Sequence, residues 1–377
     1  MALTSKLDYV YDLPEGLIAQ VPAETRGASR LMVLDRRGGG RVGHHSFSDI
    51  GGFLKPGDLV VINDSRVVPA VVHGRKVSGG RARLLFLGDG GNGGGKGEKS
   101  YRGYRCLIYG KRVKEGTKIE LPGGAEAVVL GRGEMEGGDG FGGGYVVSLA
   151  GGDWENLFDY LERWGRTPLP PYIKRSGNGF EGIEEVEGFD RERYQTVYAR
   201  PPGSVAAPTA GLHFDEGMID RLEGEGVEFA RVTLHVGPGT FLPIRSLRLK
   251  DHVMHGEEYE ISGEAADAVN RARGEGRRIV AVGTTTVRAL ESAADEKGRV
   301  RGGRDVTSLF IVPGHRFRVV DVLFTNFHLP RSTLIVLVSA FCEAPEVSGR
   351  EMIMAAYREA IEKRYRFYSY GDAMLIL

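Results

Sequence analysis

The sequence predicts an α/β (α+β) protein: a main domain with a mixed sheet and covering helices, and a small antiparallel β-barrel inserted into it. After residue 151, apolar runs lead into helix-like segments, as where Arg278-Ile-Val-Ala-Val-Gly enters Thr284–Ala293. Such alternation builds a sheet with helices on it. Between Val67 and Leu149 the texture changes to short β-type runs separated by turns, without helical periodicity; strands at this spacing suit a small barrel or sandwich. With 377 residues and 41% hydrophobic content, the chain is long enough for two cores. The expected division is 1–66 and 151–377 for the main domain and 67–150 for the insert.

In chain order, Pro14 starts a short helix that ends near Gln20. Ser29-Arg-Leu-Met-Val-Leu-Asp-Arg reads as a strand, turned at Gly38-Gly-Gly, with Val42 opening the return strand. Asp58-Leu-Val-Val-Ile-Asn is a buried strand by its unbroken apolar run. It ends in Asn63-Asp64-Ser65-Arg66, and positions just past a buried strand are where open α/β sheets place ligands. In the insert, strands are expected around Val67–Val72, Ala82–Leu87, Arg105–Tyr109, Ala125–Leu130 and Tyr145–Leu149, with the glycine tracts 88–97 and 131–144 as hairpin loops. Asp153 caps an amphipathic helix to Trp164 that stops at Gly165, and Thr167–Arg175 follows as a stiff extended segment. Glu216–Glu225 is helical, Phe229–Val236 a strand, and Gly237-Pro-Gly-Thr-Phe-Leu-Pro a turn. Ser262 caps the helix Gly263–Arg273. Val320–Asn326 is a strand, and Pro330 with Ser332 starts a helix through Phe341, although its β-branched content also suits a strand.

Composition narrows the function classes. Fifty basic and 50 acidic side chains cancel, so contact with a nucleic acid has to come from local basic patches. Two cysteines, Cys106 and Cys342, suit a reducing cytosol better than a disulfide framework. The N-terminus lacks the apolar core of a signal peptide and no stretch reaches membrane-spanning length; a cytoplasmic protein without membrane contact is expected. Gly88-Asp-Gly-Gly-Asn-Gly matches the dinucleotide fingerprint formally, but a strand follows it rather than a helix, so nothing would hold a pyrophosphate.

The stretch from Tyr194 to Phe214 is poor in large aliphatic residues and rich in hydroxyls, amides and small side chains. Pro201, Pro202, Gly203 and Pro208 turn it sharply, and Ser204, Ala206, Ala207, Ala210 and Gly211 let a ligand approach the main chain. Structureless loops beyond about 12 to 15 residues are usually functional or disordered, and this one is too apolar for disorder. Further on, Gly283-Thr284-Thr285-Thr286 presents backbone N–H groups and hydroxyls at a helix start, a cradle for a carboxylate or phosphate, with Arg288 one turn on. A plain threonine cap is the alternative. His213, His235 and His328 sit at the ends of strands and loops, half-buried by their neighbours, where an imidazole can act as a base near neutral pH. His252-Val-Met-His255-Gly-Glu raises a metal question, but Gly256 and the flanking loop signals argue against it and no metal is expected. Cations interleave with aromatics at Lys363-Arg-Tyr-Arg-Phe-Tyr-Ser-Tyr, a pattern that suits RNA bases and phosphates or a solvated helix end.

Taken together, Tyr11-Asp-Leu-Pro, Ala28-Ser-Arg-Leu, Gly57-Asp-Leu-Val-Val-Ile-Asn-Asp-Ser-Arg, Pro168-Leu-Pro-Pro-Tyr-Ile, Gly203-Ser-Val-Ala-Ala-Pro-Thr-Ala-Gly-Leu-His-Phe, Val232-Thr-Leu-His-Val-Gly-Pro-Gly-Thr-Phe and Thr325-Asn-Phe-His-Leu-Pro-Arg-Ser-Thr-Leu closely resemble the S-adenosylmethionine:tRNA ribosyltransferase-isomerase family of queuosine biosynthesis. The likeness spans both ends and most of residues 151–377, and departs mainly at the glycine tracts of the insert. It implies that S-adenosylmethionine gives its ribosyl part to 7-aminomethyl-7-deazaguanine at the wobble position of tRNA, with adenine and methionine leaving and epoxyqueuosine formed. That chemistry needs a base for the acidic proton beside the sulfonium, a dry pocket and a clamp for the methionine carboxylate. The expected base is His213 or His235, with Asp64 in reserve. Thr284, Thr285, Thr286 and Arg288 are the expected anion holders. Asn63, Arg66, Tyr194, Gln195, Thr209, Gly211, Asn326 and His328 are the expected pocket lining. A monomer acting on tRNA is anticipated. Two alternatives stay open: a methyltransferase using the same cofactor, which lacks its usual glycine-rich opening loop here, and a non-catalytic RNA-binding module, for which the chain has too little excess basic charge.

Overall fold

The computed structural model of the protein describes residues 5–93, 101–133, 144–175, 183–241, 243–344 and 347–377. The chain opens with the antiparallel hairpin β1 (Arg30–Asp35) and β2 (Arg41–Ser46), followed by β3 (Leu59–Asn63) and the short β4 (Arg66–Val67). Next come β5 (Val71–Lys76), β6 (Arg81–Gly93), β7 (Tyr101–Tyr109), β8 (Lys118–Glu120), β9 (Glu126–Gly133) and β10 (Gly144–Ala150). Helices α1 (Leu157–Trp164) and α2 (Ile183–Arg193) lead to β11 (Pro202–Ser204), α3 (Glu216–Gly224), β12 (Glu228–Leu234), β13 (Glu257–Ile261) and α4 (Gly263–Gly274). The chain ends with β14 (Ile279–Val282), α5 (Thr284–Ala293), β15 (Gly303–Thr307), β16 (Val322–Asn326), α6 (Thr333–Phe341), α7 (Gly349–Glu362) and β17 (Ala373–Ile376).

Nine strands form the main sheet in the order β15-β13-β12-β3-β14-β16-β17-β1-β2. Its centre, β12, β3, β14 and β16, is parallel. These strands read as continuous apolar runs because both faces are covered. On one face Leu59, Val61, Ala281 and Leu323 pack with α4 to α7. On the other, Val60, Ile62, Val280 and Phe324 meet Phe47, Phe214, Met218 and Leu222. Parallel pairing places the C-terminal ends of all four central strands along one edge, the usual location of a ligand site in such sheets. Strand β17 runs antiparallel to β16 and parallel to β1, so both begin at that same edge.

Strands β5 to β10 close into a barrel in the order β10-β7-β6-β5-β8-β9. Closure pairs every strand, and the interior is filled by Val72, Leu84, Phe86, Cys106, Ile119, Ala127, Val129 and Val147. Helix α1 plugs one side with Leu157, Tyr160 and Leu161. Val71 and Arg166 exchange backbone hydrogen bonds of 3.1 and 2.7 Å, so the chain leaves and re-enters the barrel side by side. Gly165 is required there, since a Cβ would lie 1.8 Å from the Pro69 carbonyl oxygen.

Several elements depart from the sequence expectation. Helix α1 starts later than Asp153: Asn156 is its cap, accepting from the Asp159 N–H at 3.1 Å. The preceding turn is drawn elsewhere, because Trp154 Nε1 donates to Gly151 O and the indole packs on Tyr160. Helix α2 was not anticipated, and the Pro14 helix shrinks to a 3₁₀ turn, Glu15–Leu17, because Leu17 and Ala19 bond to the backbone of Phe367 instead. Residues 88–93 of the first glycine tract continue β6 rather than forming a loop, pairing with β7. In the second tract, 131–133 belong to β9 and 144 to β10; 94–97 and 134–143 lie outside the described residues. The segment after Thr167 turns at 171–173 instead of staying extended. Residues Thr333–Phe341 are a helix, capped by Ser332. Among the described residues no helix is long and apolar enough to cross a membrane.

Candidate active site

The shared edge of the central strands carries Asn63 and Asp64 after β3, His235 after β12, Gly283 before α5 and Asn326 at the end of β16. The proline-broken stretch lies across it. Strand β11 pairs with β4 in parallel, and the 3₁₀ turn Thr209–His213 follows. Ala210 packs at the start of α5, 3.6 Å from where a Gly283 Cβ would stand, and Thr209 donates to Asn326 Oδ1 at 3.0 Å. Mid-chain turn, triple-threonine turn and Asn-Phe-His corner therefore meet at one place.

Two buried hydrogen-bond chains organise it. In the first, Thr209 reaches Asn326, Asn326 Nδ2 donates to His213 Nε2 at 3.1 Å, and His213 Nδ1 contacts Ser29 Oγ at 2.6 Å. With Nε2 accepting, the proton sits on Nδ1 and points to Ser29. Burial, aided by Arg366 and Arg26, pushes the His213 pKa down to about 3, so the ring is neutral. In the second, Asn63 Nδ2 donates to Leu234 O at 3.0 Å and Thr285 Oγ1 at 3.2 Å, while its Oδ1 accepts from Ser65 and Leu234 N–H. Ser204 bridges Ser65 Oγ at 2.8 Å and the Val236 N–H at 2.9 Å. Asp64 accepts from Thr233 Oγ1 at 2.7 Å, and burial raises its carboxyl above the usual range. His235 is half-buried with Nδ1 unpartnered, and its pKa is lowered, chiefly by desolvation. Its ring lies against Gly203, where a Cβ would come within 2.7 Å of Nδ1, so only glycine, at φ +150°, leaves it room.

The other expected residues divide. Thr284, Thr285 and Thr286 are buried at the start of α5, with Thr286 Oγ1 donating to Val282 O at 2.7 Å. Arg288 is not at the edge: its guanidinium pairs with buried Glu257 and donates to Leu309 O and Thr307 O, which leaves it no reach toward an anion. Arg66 pairs with Glu162 at 2.9 Å, and Gln195 binds both N–H and C=O of Val67. Together with Tyr194 they line a crevice of about 90 Å³, walled also by Val67 to Pro69 and by Glu162 of α1 and Arg191 of α2. Gly211 serves packing, since a Cβ would lie 2.1 Å from the Tyr198 hydroxyl. His328 holds its corner together through Thr325 Oγ1 at 2.8 Å and Tyr357, and burial lowers its pKa to about 3. His252 and His255 lie outside any helix or strand, with the His252 ring edge-on to Phe310. Tyr365, Phe367, Tyr368 and Tyr370 are core residues, so this motif offers no exposed ring for a base; only its cations face out. Sequence reasoning gave Ser29 no part in the site, and it placed Ser65 and Ser204 at the edge without their hydrogen-bonding roles. Ser29 was read as the first residue of a strand that starts at Arg30, and its partner is 184 residues away.

The family model described as queuosine biosynthesis protein matches residues 6–376. A protein named S-adenosylmethionine:tRNA ribosyltransferase-isomerase from Anaeromyxobacter sp. is 50% identical over 370 residues, covering 98% of each chain. Its namesake from Geobacter sulfurreducens is 46% identical over 374 residues, again 98% of each. The solved S-adenosylmethionine tRNA ribosyltransferase of Thermotoga maritima is 36% identical with a TM-score of 0.51, covering 98% of this chain and 100% of that one. With a family match over residues 6–376 and relatives of about half identity covered almost end to end, the chain belongs to the queuosine biosynthesis protein family.

Proposed function

We propose that the protein transfers and isomerises the ribosyl part of S-adenosylmethionine onto 7-aminomethyl-7-deazaguanine at the tRNA wobble position, giving epoxyqueuosine and releasing adenine and methionine. The observation that carries this reading is the end-to-end similarity to relatives bearing that enzyme name. In it, His235 is the base: its Nδ1 makes no hydrogen bond and desolvation favours the neutral ring, so it can accept the proton beside the sulfonium. His213 is a positioning residue, because both of its nitrogens are taken by Ser29 and Asn326. Asp64 is the reserve base, its carboxyl raised by desolvation. The backbone N–H groups of Thr284 to Thr286 favour a negative group at the start of α5, and the crevice at Arg66, Tyr194 and Gln195 receives part of the substrate. No step calls for a metal. The enzyme is read as a cytoplasmic monomer, with 67–150 as an inserted domain.

Incubation with S-adenosylmethionine and tRNA carrying the aminomethyl base should release free adenine, read by chromatography. S-adenosylhomocysteine instead would make it a methyltransferase, and RNA binding without cofactor consumption a binding module. His235→Ala should lower turnover by roughly 10²-fold or more; unchanged turnover would remove His235 from the mechanism.

A further inference from the structure

With Arg288 consumed by Glu257, the candidate edge holds no cation from the residues first assigned to anions. Three other guanidiniums converge beside it on the segment from Val21 to Arg26. Arg193 donates to Ala23 O at 2.6 Å and Glu24 O at 3.2 Å, and Arg366 donates to Val21 O. Arg26 reaches across to Gln195 O at 2.7 Å, Leu212 O at 3.1 Å and Glu192 O at 3.1 Å. Leu212 is the neighbour of His213, which places the cluster at the mouth of the buried chain described above.

All three are half-buried and, among the described residues, none makes an ion pair with a carboxylate. Asp372, the acid nearest Arg366, is already bound to Arg30. Cations taken partly out of water and tethered to carbonyls, with no carboxylate in direct contact, keep their remaining donors oriented, an arrangement that suits phosphate. Desolvation and Arg193 both press on Arg26, and an arriving anion would relieve that pressure. Just inside, the hydroxyls of Thr196 and Tyr198 are buried without hydrogen-bond partners, the Tyr198 hydroxyl against Gly211, and such donors favour an acceptor that reaches them. A polar guest at this position would supply acceptors. Since the chain has no net charge, an RNA has to be held by a local cluster of this kind.

We propose that Arg26, Arg193 and Arg366 clamp the backbone phosphates of the tRNA beside the base that enters the site. The inference rests on the tRNA reading above. Three guanidiniums along the partly exposed segment from Val21 to Arg26 exceed what the single carboxylate of a small substrate would need, and suit a polyanion.

The test is fluorescence anisotropy of the full-length enzyme with a synthetic anticodon stem-loop, over a salt series. Arg26→Gln, Arg193→Gln and Arg366→Gln should each weaken binding about 5- to 10-fold and lower the log–log salt slope by roughly 1. Arg304→Gln, on the far strand β15, should change neither. Arg193→Lys keeps the charge but not the fork, so it should retain the slope; equal losses in the Lys and Gln variants would mean a structural tether and overturn the proposal. Unchanged RNA affinity together with a raised KM for S-adenosylmethionine would also overturn it and give the cluster to the small substrate. Binding needs no turnover, so a wild-type enzyme that releases no adenine yet shows these slope changes would sink the enzymatic reading and leave the clamp standing.

Discussion

The barrel interior and the C-terminal edge of the main sheet are both buried, yet they are held by different forces. The barrel encloses Val72, Leu84, Phe86, Ile119 and Val147, and charged pairs such as Lys118 with Glu126 stay outside. The sheet edge buries Asn63, Asp64, Ser65, Ser204, His213, Thr285 and Asn326, nearly all in hydrogen-bond chains. Apolar burial is non-directional and tolerates reshaping. Hydrogen-bonded burial gains only about 1 kcal/mol per bond, yet fixes each atom in direction and loses more when a partner is removed. The barrel interior can therefore accept changes of shape, while the edge cannot vary in its side chains without loss of geometry.

The comparison breaks most readily at the buried Arg288–Glu257 pair, which underpins the edge from behind. Glu257 also accepts from the Gly237 N–H at 2.9 Å and from Thr240, tying down the turn after His235. Arg288→Met should cost roughly 3–5 kcal/mol by urea denaturation, because it strands a buried carboxylate. A loss under about 1 kcal/mol would mean that the edge does not depend on paired charge.

Acid should separate the two regions next. His213 and His328 are held near pKa 3 in the folded state, against an ordinary value near 6.5. Between those values the unfolded chain binds more protons, so stability is complete above about pH 6.5 and drains as pH falls toward 3. Each histidine contributes a slope of up to about 1.4 kcal/mol per pH unit. Chemical denaturation at pH 7 and pH 5.5 should differ by about 2–3 kcal/mol, and His213→Gln should remove roughly half of that. A variant with the wild-type slope would show that the ring is not buried neutral.

The smallest effect belongs to the barrel. Cys106→Ala opens a gap in a purely apolar interior and should cost roughly 1 kcal/mol, without changing turnover per folded molecule. A fall in turnover there would erase the distinction between scaffold and site.

Much of the architecture is legible in one dimension because its causes are local. The apolar runs of β3, β14 and β16, the caps at Ser262 and Ser332, and the change of texture at Val67 are set by neighbours a few residues apart. The late start of α1 was not legible, since it depends on Trp154 finding Gly151 and Tyr160. The site was readable as a set of residues but not as a set of roles. Nothing near Arg288 in the chain announces Glu257, nothing near His213 announces Ser29, and the rings at Tyr365 to Tyr370 face inward only because the sheet needs them. By itself the sequence determined the central strands, several of the helices and which polar residues would stand at strand ends, because propensity and periodicity act over short spans. Only the tertiary structure decided which of those groups are spent on each other and which, like His235 and the three guanidiniums around Val21, are left with something to offer, because hydrogen-bond and charge partners are assigned across the fold rather than along the chain.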